Sequence, residues 1–123
     1  MEKQQKPTRN VTHNFNESIQ FDVCLGLTEG PSKLVEERAR HGHKHYGSFL
    51  TAFNGRDAVR DFLEELADAV PYAEQVFLEA VENGANAETL EDLSKLSEKT
   101  RAFLVEAYDL LEGDRLLAKQ PPA

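Results

Sequence analysis

The chain is poor in several things. Among its 123 residues there is one cysteine, Cys24, so no disulfide can close within it. No stretch approaches the ~20 apolar residues of a membrane-spanning helix. Positive charge is scarce: 14 Lys and Arg stand against 22 Asp and Glu, a formal net charge of −8 and a pI near 5.0. That balance disfavours non-specific binding to a nucleic-acid backbone, which needs clustered cations. Met1 to Arg9 carries charges with no apolar run behind them, so a secretory leader is not expected and the cytoplasm is the expected compartment. There the triplets Asn10-Val11-Thr12 and Asn16-Glu17-Ser18, which match the glycosylation pattern, have no consequence. There is no internal repeat and no low-complexity tract.

What remains is a modest apolar share of 40%, enough for one small helical core. Residues 1–13 read as a flexible polar tail. Residues 14–30 offer Phe15, Ile19, Phe21, Val23, Leu25 and Leu27 in loose alternation, which predicts a short strand or an irregular arm. A single helical domain is expected over 31–117, followed by a tail at 118–123. Pro31 suits a first helical turn, so a short helix is predicted from Pro31 to Tyr46, weakened at Gly42. The apolar residues Val59, Phe62, Leu63, Leu66, Val70, Ala73, Val76, Phe77, Ala80 and Val81 follow a spacing of three and four. They predict a long helix from near Arg56 to Glu82, kinked near Pro71, and Asn83-Gly84 is a stop signal. A third helix is predicted from Thr89, whose Thr-x-x-Asp spacing to Asp92 resembles a capping box, with Gly113 as its end. The expected fold is all-α: an antiparallel helical hairpin with a shorter helix across it. One hairpin leaves much apolar surface uncovered, which predicts a homodimer or larger assembly.

The chemistry is concentrated in carboxylates. Asp57, Asp61, Glu64, Glu65 and Asp68 fall on one face of the long helix, opposite the apolar one. Glu65 and Asp68, one turn apart, suit a hard divalent cation; a solvated acidic face explains the same spacing. Glu36 and Glu37 on the short helix can serve as metal ligands or simply pair with Arg40 and His41 at i,i+4. His41 and His45 have the spacing of some zinc sites, while Lys44 and Arg40 make the same segment a cationic edge for an anionic ligand. Cys24, without a visible catalytic partner, reads as a small buried hydrophobe.

Three runs carry a family resemblance: His41-Gly42-His43-Lys44-His45-Tyr46-Gly47, Phe53-Asn54-Gly55-Arg56-Asp57-Ala58 and Glu64-Glu65-Leu66-Ala67-Asp68-Ala69. Together, over about residues 33–82, the chain resembles the MazG-like all-α nucleotide pyrophosphohydrolases, above all their small phage and bacterial relatives. The resemblance implies an oligomeric helical bundle that cleaves nucleoside triphosphates to monophosphate and pyrophosphate with Mg²⁺, or Mn²⁺ in its place. It implies Glu36, Glu37, Glu65 and Asp68 as metal ligands, Glu64 or Asp61 orienting water, and Arg40, Lys44 and Arg56 facing the phosphates. Glu65-Leu66-Ala67-Asp68 matches the later half of the family's metal motif. The third acidic position of the earlier half falls on Arg40, a departure that would weaken a second metal ion. An alternative register uses Glu64, Glu65 and Asp68 first and Glu106 with Asp109 second, across a longer interval than the family shows. The rival readings are a degenerate relative that binds a nucleotide or a protein without turnover, or an acidic phage accessory protein covering a basic surface of a host protein.

Overall fold

The computed structural model describes residues 11–113; the expected tails lie outside the described residues except at 11–13, where Thr12 is buried rather than part of a loose tail. Every regular element described is helical. The extended exception is an isolated antiparallel bridge between Thr12 and Phe49. No helix among the described residues is long and apolar enough to cross a membrane. The chain divides into two compact units at Arg56 and Asp57, inside the span expected as a single domain.

The first unit starts with a 3₁₀ turn, Phe15–Glu17, followed by α1 (Ile19–Leu25) and α2 (Glu29–Tyr46). The stretch expected as a strand or irregular arm is therefore largely helical, and capping explains why. Asn14 accepts a hydrogen bond from the Asn16 N–H at 3.0 Å, and Ser18 Oγ accepts from the Phe21 N–H at 3.1 Å. Polar caps at those positions satisfy the first free N–H groups of each turn and make helix the cheaper backbone. The helical period turns Phe15, Phe21 and Cys24 onto a cluster with Ala39 of α2 and Phe49, while Val23 and Leu25 face out. Cys24 is half-buried, and its thiol donates to the Ser32 carbonyl at 3.3 Å.

α2 begins two residues before Pro31, which sits in its first turn, and runs unbroken through Gly42. The expected weakening at Gly42 does not interrupt it. A mid-helix glycine costs only about 0.5–1 kcal/mol, and the turns on either side are held by Ala39 and by His43 against Phe49. Gly47 ends the helix at φ +81°, a conformation that costs a side chain-bearing residue about 1–2 kcal/mol.

The second unit is a hairpin of α3 (Ala58–Glu82) and α4 (Ala87–Tyr108), closed by a π-helical turn over Asp109–Gly113. α3 starts two residues later than Arg56, because Asp57 is its cap: the carboxylate accepts from the Arg60 N–H at 3.1 Å. The helix continues through Pro71 to Glu82. Gly84, at φ +79°, turns the chain back. α4 starts earlier than Thr89, since Asn86 takes the N-cap and accepts from the Thr89 N–H at 2.8 Å. The Thr89-x-x-Asp92 box is thus replaced by an asparagine cap, a stronger type at that position. Leu63 and Ala107 are buried between the helices. Buried Ser97 donates to Glu74 at 2.8 Å, and Arg101 pairs with the same carboxylate oxygen at 2.8 Å.

Candidate functional site

The acidic stripe of α3 forms as a regular helix requires. Asp57 is spent on capping, and Glu64 is tied to Arg60 at 3.0 Å in an exposed i,i+4 pair. Such a pair contributes only tenths of a kcal/mol, so it orients Glu64 more than it stabilises the helix. Glu65 and Asp68 are different. Both are exposed, stand one turn apart and have no ion pair or hydrogen-bond partner for their side chains among the described residues. Two unpartnered carboxylates at that spacing offer hard oxygen donors to one side of a divalent cation.

α2 carries the other two candidate ligands. Glu36 is already occupied: Arg40 donates to one carboxylate oxygen from Nε at 2.8 Å and from a terminal guanidinium nitrogen at 2.7 Å. The Arg40 guanidinium also lies 4.9 Å from the centre of the Phe15 ring, a cation–π contact with the core cluster. The pair with Glu36 is the i,i+4 contact expected from the sequence, whereas the contact with Phe15, distant in the chain, is not legible there. Glu37 is exposed and makes no pair with His41. Lys44 is exposed in the last turn of α2. Glu36 and Glu37 belong to one compact unit, Glu65 and Asp68 to the other. Among the described residues no group of three or more His, Cys, Asp or Glu is assembled to hold a metal ion.

The loop before α3 holds a second feature invisible to pattern reading. Phe53 adopts φ +56° and Gly55 φ +93°. A phenylalanine in the left-handed region is strained by about 1–2 kcal/mol, and such strain gathers where the surrounding fold demands a particular loop shape. Its place is the Phe53-Asn54-Gly55-Arg56-Asp57 run that leads into the acidic helix. Asn54 accepts from the Arg56 N–H at 3.0 Å, which tightens that turn.

Within the hairpin, a cleft of about 440 Å³ opens between α3 and α4. Its wall is mostly apolar, from Leu63, Ala67, Leu104 and Val105, with Arg60, Glu64, Tyr108 and Asp109 as polar groups. Glu64, a candidate catalytic acid, lines this cleft, and Asp109 of the alternative register shares it. His41 and His45, the zinc-like pair of the sequence, lie ring to ring with centroids 4.4 Å apart. His41 is held below the ordinary histidine pKa by desolvation first, then by His45, Arg38 and Lys44. Among known proteins, no family model, no curated protein and no solved structure matches the chain.

Proposed function

We propose that the chain is a MazG-like nucleoside triphosphate pyrophosphohydrolase that acts with Mg²⁺ as a homodimer or larger assembly. The observation that carries this reading is the pair Glu65 and Asp68: exposed, one turn apart and unpartnered, within the Glu-Glu-Leu-Ala-Asp-Ala run. An i±4 cation can neutralise such a carboxylate, as Arg60 does for Glu64, and among the described residues none pairs with Glu65 or Asp68. Leaving two adjacent acids bare is the arrangement a cation site needs.

In this reading Glu65 and Asp68 of α3 would hold the cation, with Glu36 and Glu37 of α2 as the further ligands that the resemblance implies. Bound there, Mg²⁺ would supply charge neutralisation for the triphosphate. Glu64, oriented by Arg60, is the base that takes a proton from the attacking water, with Asp61 as the second acid on that face. The water oxygen bonds to the α-phosphorus as the bond to the bridging oxygen breaks, so pyrophosphate leaves and the monophosphate remains. Arg56 and Lys44 offset charge on the departing pyrophosphate.

The exposed flank of the hairpin supports the assembly. Phe62, Val76, Leu96 and Phe103 remain about half exposed, with the Phe62 and Phe103 rings 6.2 Å apart. An apolar flank of that kind is costly in water and suits burial against a second copy.

The test is pyrophosphate release from a panel of nucleoside triphosphates with Mg²⁺ or Mn²⁺. Wild type should turn over and gain thermal stability with metal, and Asp68→Asn should lose both. A second reading, a degenerate relative that binds without turnover, is favoured by one observation: Arg40 already occupies Glu36. Metal-dependent stabilisation with no pyrophosphate release in the wild type would select it. Neither stabilisation nor turnover would reduce the stripe to a solvated helix face.

A further inference from the structure

Two titratable side chains from distant parts of the chain meet beside the Thr12–Phe49 bridge. His13 belongs to the segment that carries Thr12, and His43, thirty residues on, to the last turn of α2. His13 Nδ1 stands 3.4 Å from His43 Nε2. The ring centroids are 5.6 Å apart with the planes at 88°, so the two nitrogens point at one another nearly head-on.

Each ring is placed by contacts of its own. His43 is half-buried and stacks on buried Phe49, centroids 4.4 Å apart and planes within 24°. His13 lies between two anchored neighbours. The Thr12 carbonyl accepts from the Phe49 N–H at 2.9 Å, and the Thr12 hydroxyl donates to Glu17 at 2.9 Å. The Asn14 N–H donates to that same hydroxyl oxygen at 3.1 Å.

This alignment makes the contact conditional on protons. A neutral imidazole has one N–H and one bare nitrogen, while an imidazolium carries N–H on both. With no added proton, or with one added to the pair, one nitrogen can donate and the other accept. With both rings charged, two N–H groups face each other across 3.4 Å, no acceptor remains between them and like charges repel. The charged neighbours do not supply a replacement acceptor. Glu17 is engaged by the Thr12 hydroxyl, and Glu36 by Arg40, whose guanidinium lies over Phe15. Asp22, the acid of α1, is exposed and pairs with neither ring. Lys44 follows His43 in α2 and adds positive charge, while Ser48 and Leu50 beside Phe49 carry none.

We infer that His13 and His43 form a pH-sensitive latch: acidification that charges both rings parts them and releases the segment around Thr12 from Phe49 and the end of α2. Imidazole changes charge between about pH 5 and 8, so the latch is closed near neutrality and opens as the pH falls. Such a local opening leaves the rest of the unit folded. The latch does not rest on the proposed hydrolysis, which uses other residues. His41 and His45 lie on the far side of α2, since two residues turn a helix by about 200°, and their charging leaves the latch untouched.

The experiment is amide exchange of the full chain at pH 7.5 and near pH 5, a window in which carboxylates stay largely ionised. The probe is the Phe49 N–H, which the Thr12 carbonyl accepts, read as a protection factor so that the intrinsic pH dependence of exchange is removed. In the wild type this protection should fall by about tenfold on acidification, the scale of one net hydrogen bond. His13→Asn should show the same protection at both pH values, whereas His41→Asn keeps the fall. His13 is exposed, so its substitution removes no core packing. A second reading needs no variant: the cross-peak between the His13 and His43 ring protons in the wild type should be present at pH 7.5 and absent near pH 5. Protection that is flat in the wild type, a fall that persists in His13→Asn, or a cross-peak that survives acidification would each overturn the inference.

Discussion

Two glycines of the same chain have opposite backbone requirements. Gly84 sits at φ +79° with nothing within 4 Å of the position a Cβ would take. An alanine there meets no clash, so its whole cost is conformational, about 1–2 kcal/mol. Gly42 lies inside α2, and a Cβ there would meet only the Tyr46 ring at 4.0 Å, an ordinary contact. Gly42→Ala should therefore stabilise the protein by about 0.5–1 kcal/mol while Gly84→Ala destabilises it; paired urea denaturation curves check both signs. Ser18 is a third residue with a defined task. It is 2% exposed, donates to the Phe15 carbonyl at 2.6 Å and accepts from the Phe21 N–H. Ser18→Ala leaves the Phe21 N–H without its acceptor, while the Phe15 carbonyl keeps the Ser18 N–H, and should cost about 1 kcal/mol, read as a fall in the denaturation midpoint at unchanged slope.

At the scale of elements, α3 is the longest helix and contains its own weak point. Pro71 has no N–H, so the Ala67 carbonyl has no partner one turn on, and the ring crowds that turn. Pro71 is exposed, so no packing is lost when it is removed. Pro71→Ala should stabilise the hairpin by up to about 3 kcal/mol, visible as slower amide exchange around residues 67–71. The hairpin itself is joined by few buried groups, among them the Ser97–Glu74–Arg101 link. Glu74→Ala strands the buried Ser97 hydroxyl and should cost about 1–3 kcal/mol, whereas Glu74→Gln retains an acceptor for it and should cost less. Thermal unfolding of the two variants side by side distinguishes the loss of the acceptor from the loss of the charge.

For the molecule as a whole, the open question is what covers the hairpin. The proposed assembly expects light scattering to give at least twice the 13.8 kDa of one chain. It also expects Phe103→Ser to shift the population toward monomer, since that ring is 50% exposed and removal of an exposed ring costs the lone chain little. A wild type that stays monomeric at high concentration would count against the assembly and weaken the hydrolase reading with it.

The sequence by itself determined the helical class. It also determined the span of α3, its stop at Asn83-Gly84 and the carboxylate face opposite its core, because helical period and chain-breaking residues are local properties. It did not reveal that residues 15–25 turn helical. There the loose alternation of apolar residues was overruled by two side-chain caps and by the packing of Phe15 and Phe21 on one another, rings 5.7 Å apart. Nor did it show which candidate ligands are free. Arg40 closes on Glu36 and leans over Phe15, Glu64 is drawn to Arg60, and Glu65 and Asp68 stay bare. The meeting of His13 with His43 is the extreme case, since it depends on the Thr12–Phe49 bridge and on a ring stacked over Phe49. Contacts between residues thirty positions apart arise only when a core forms between them, and tertiary structure alone decides those.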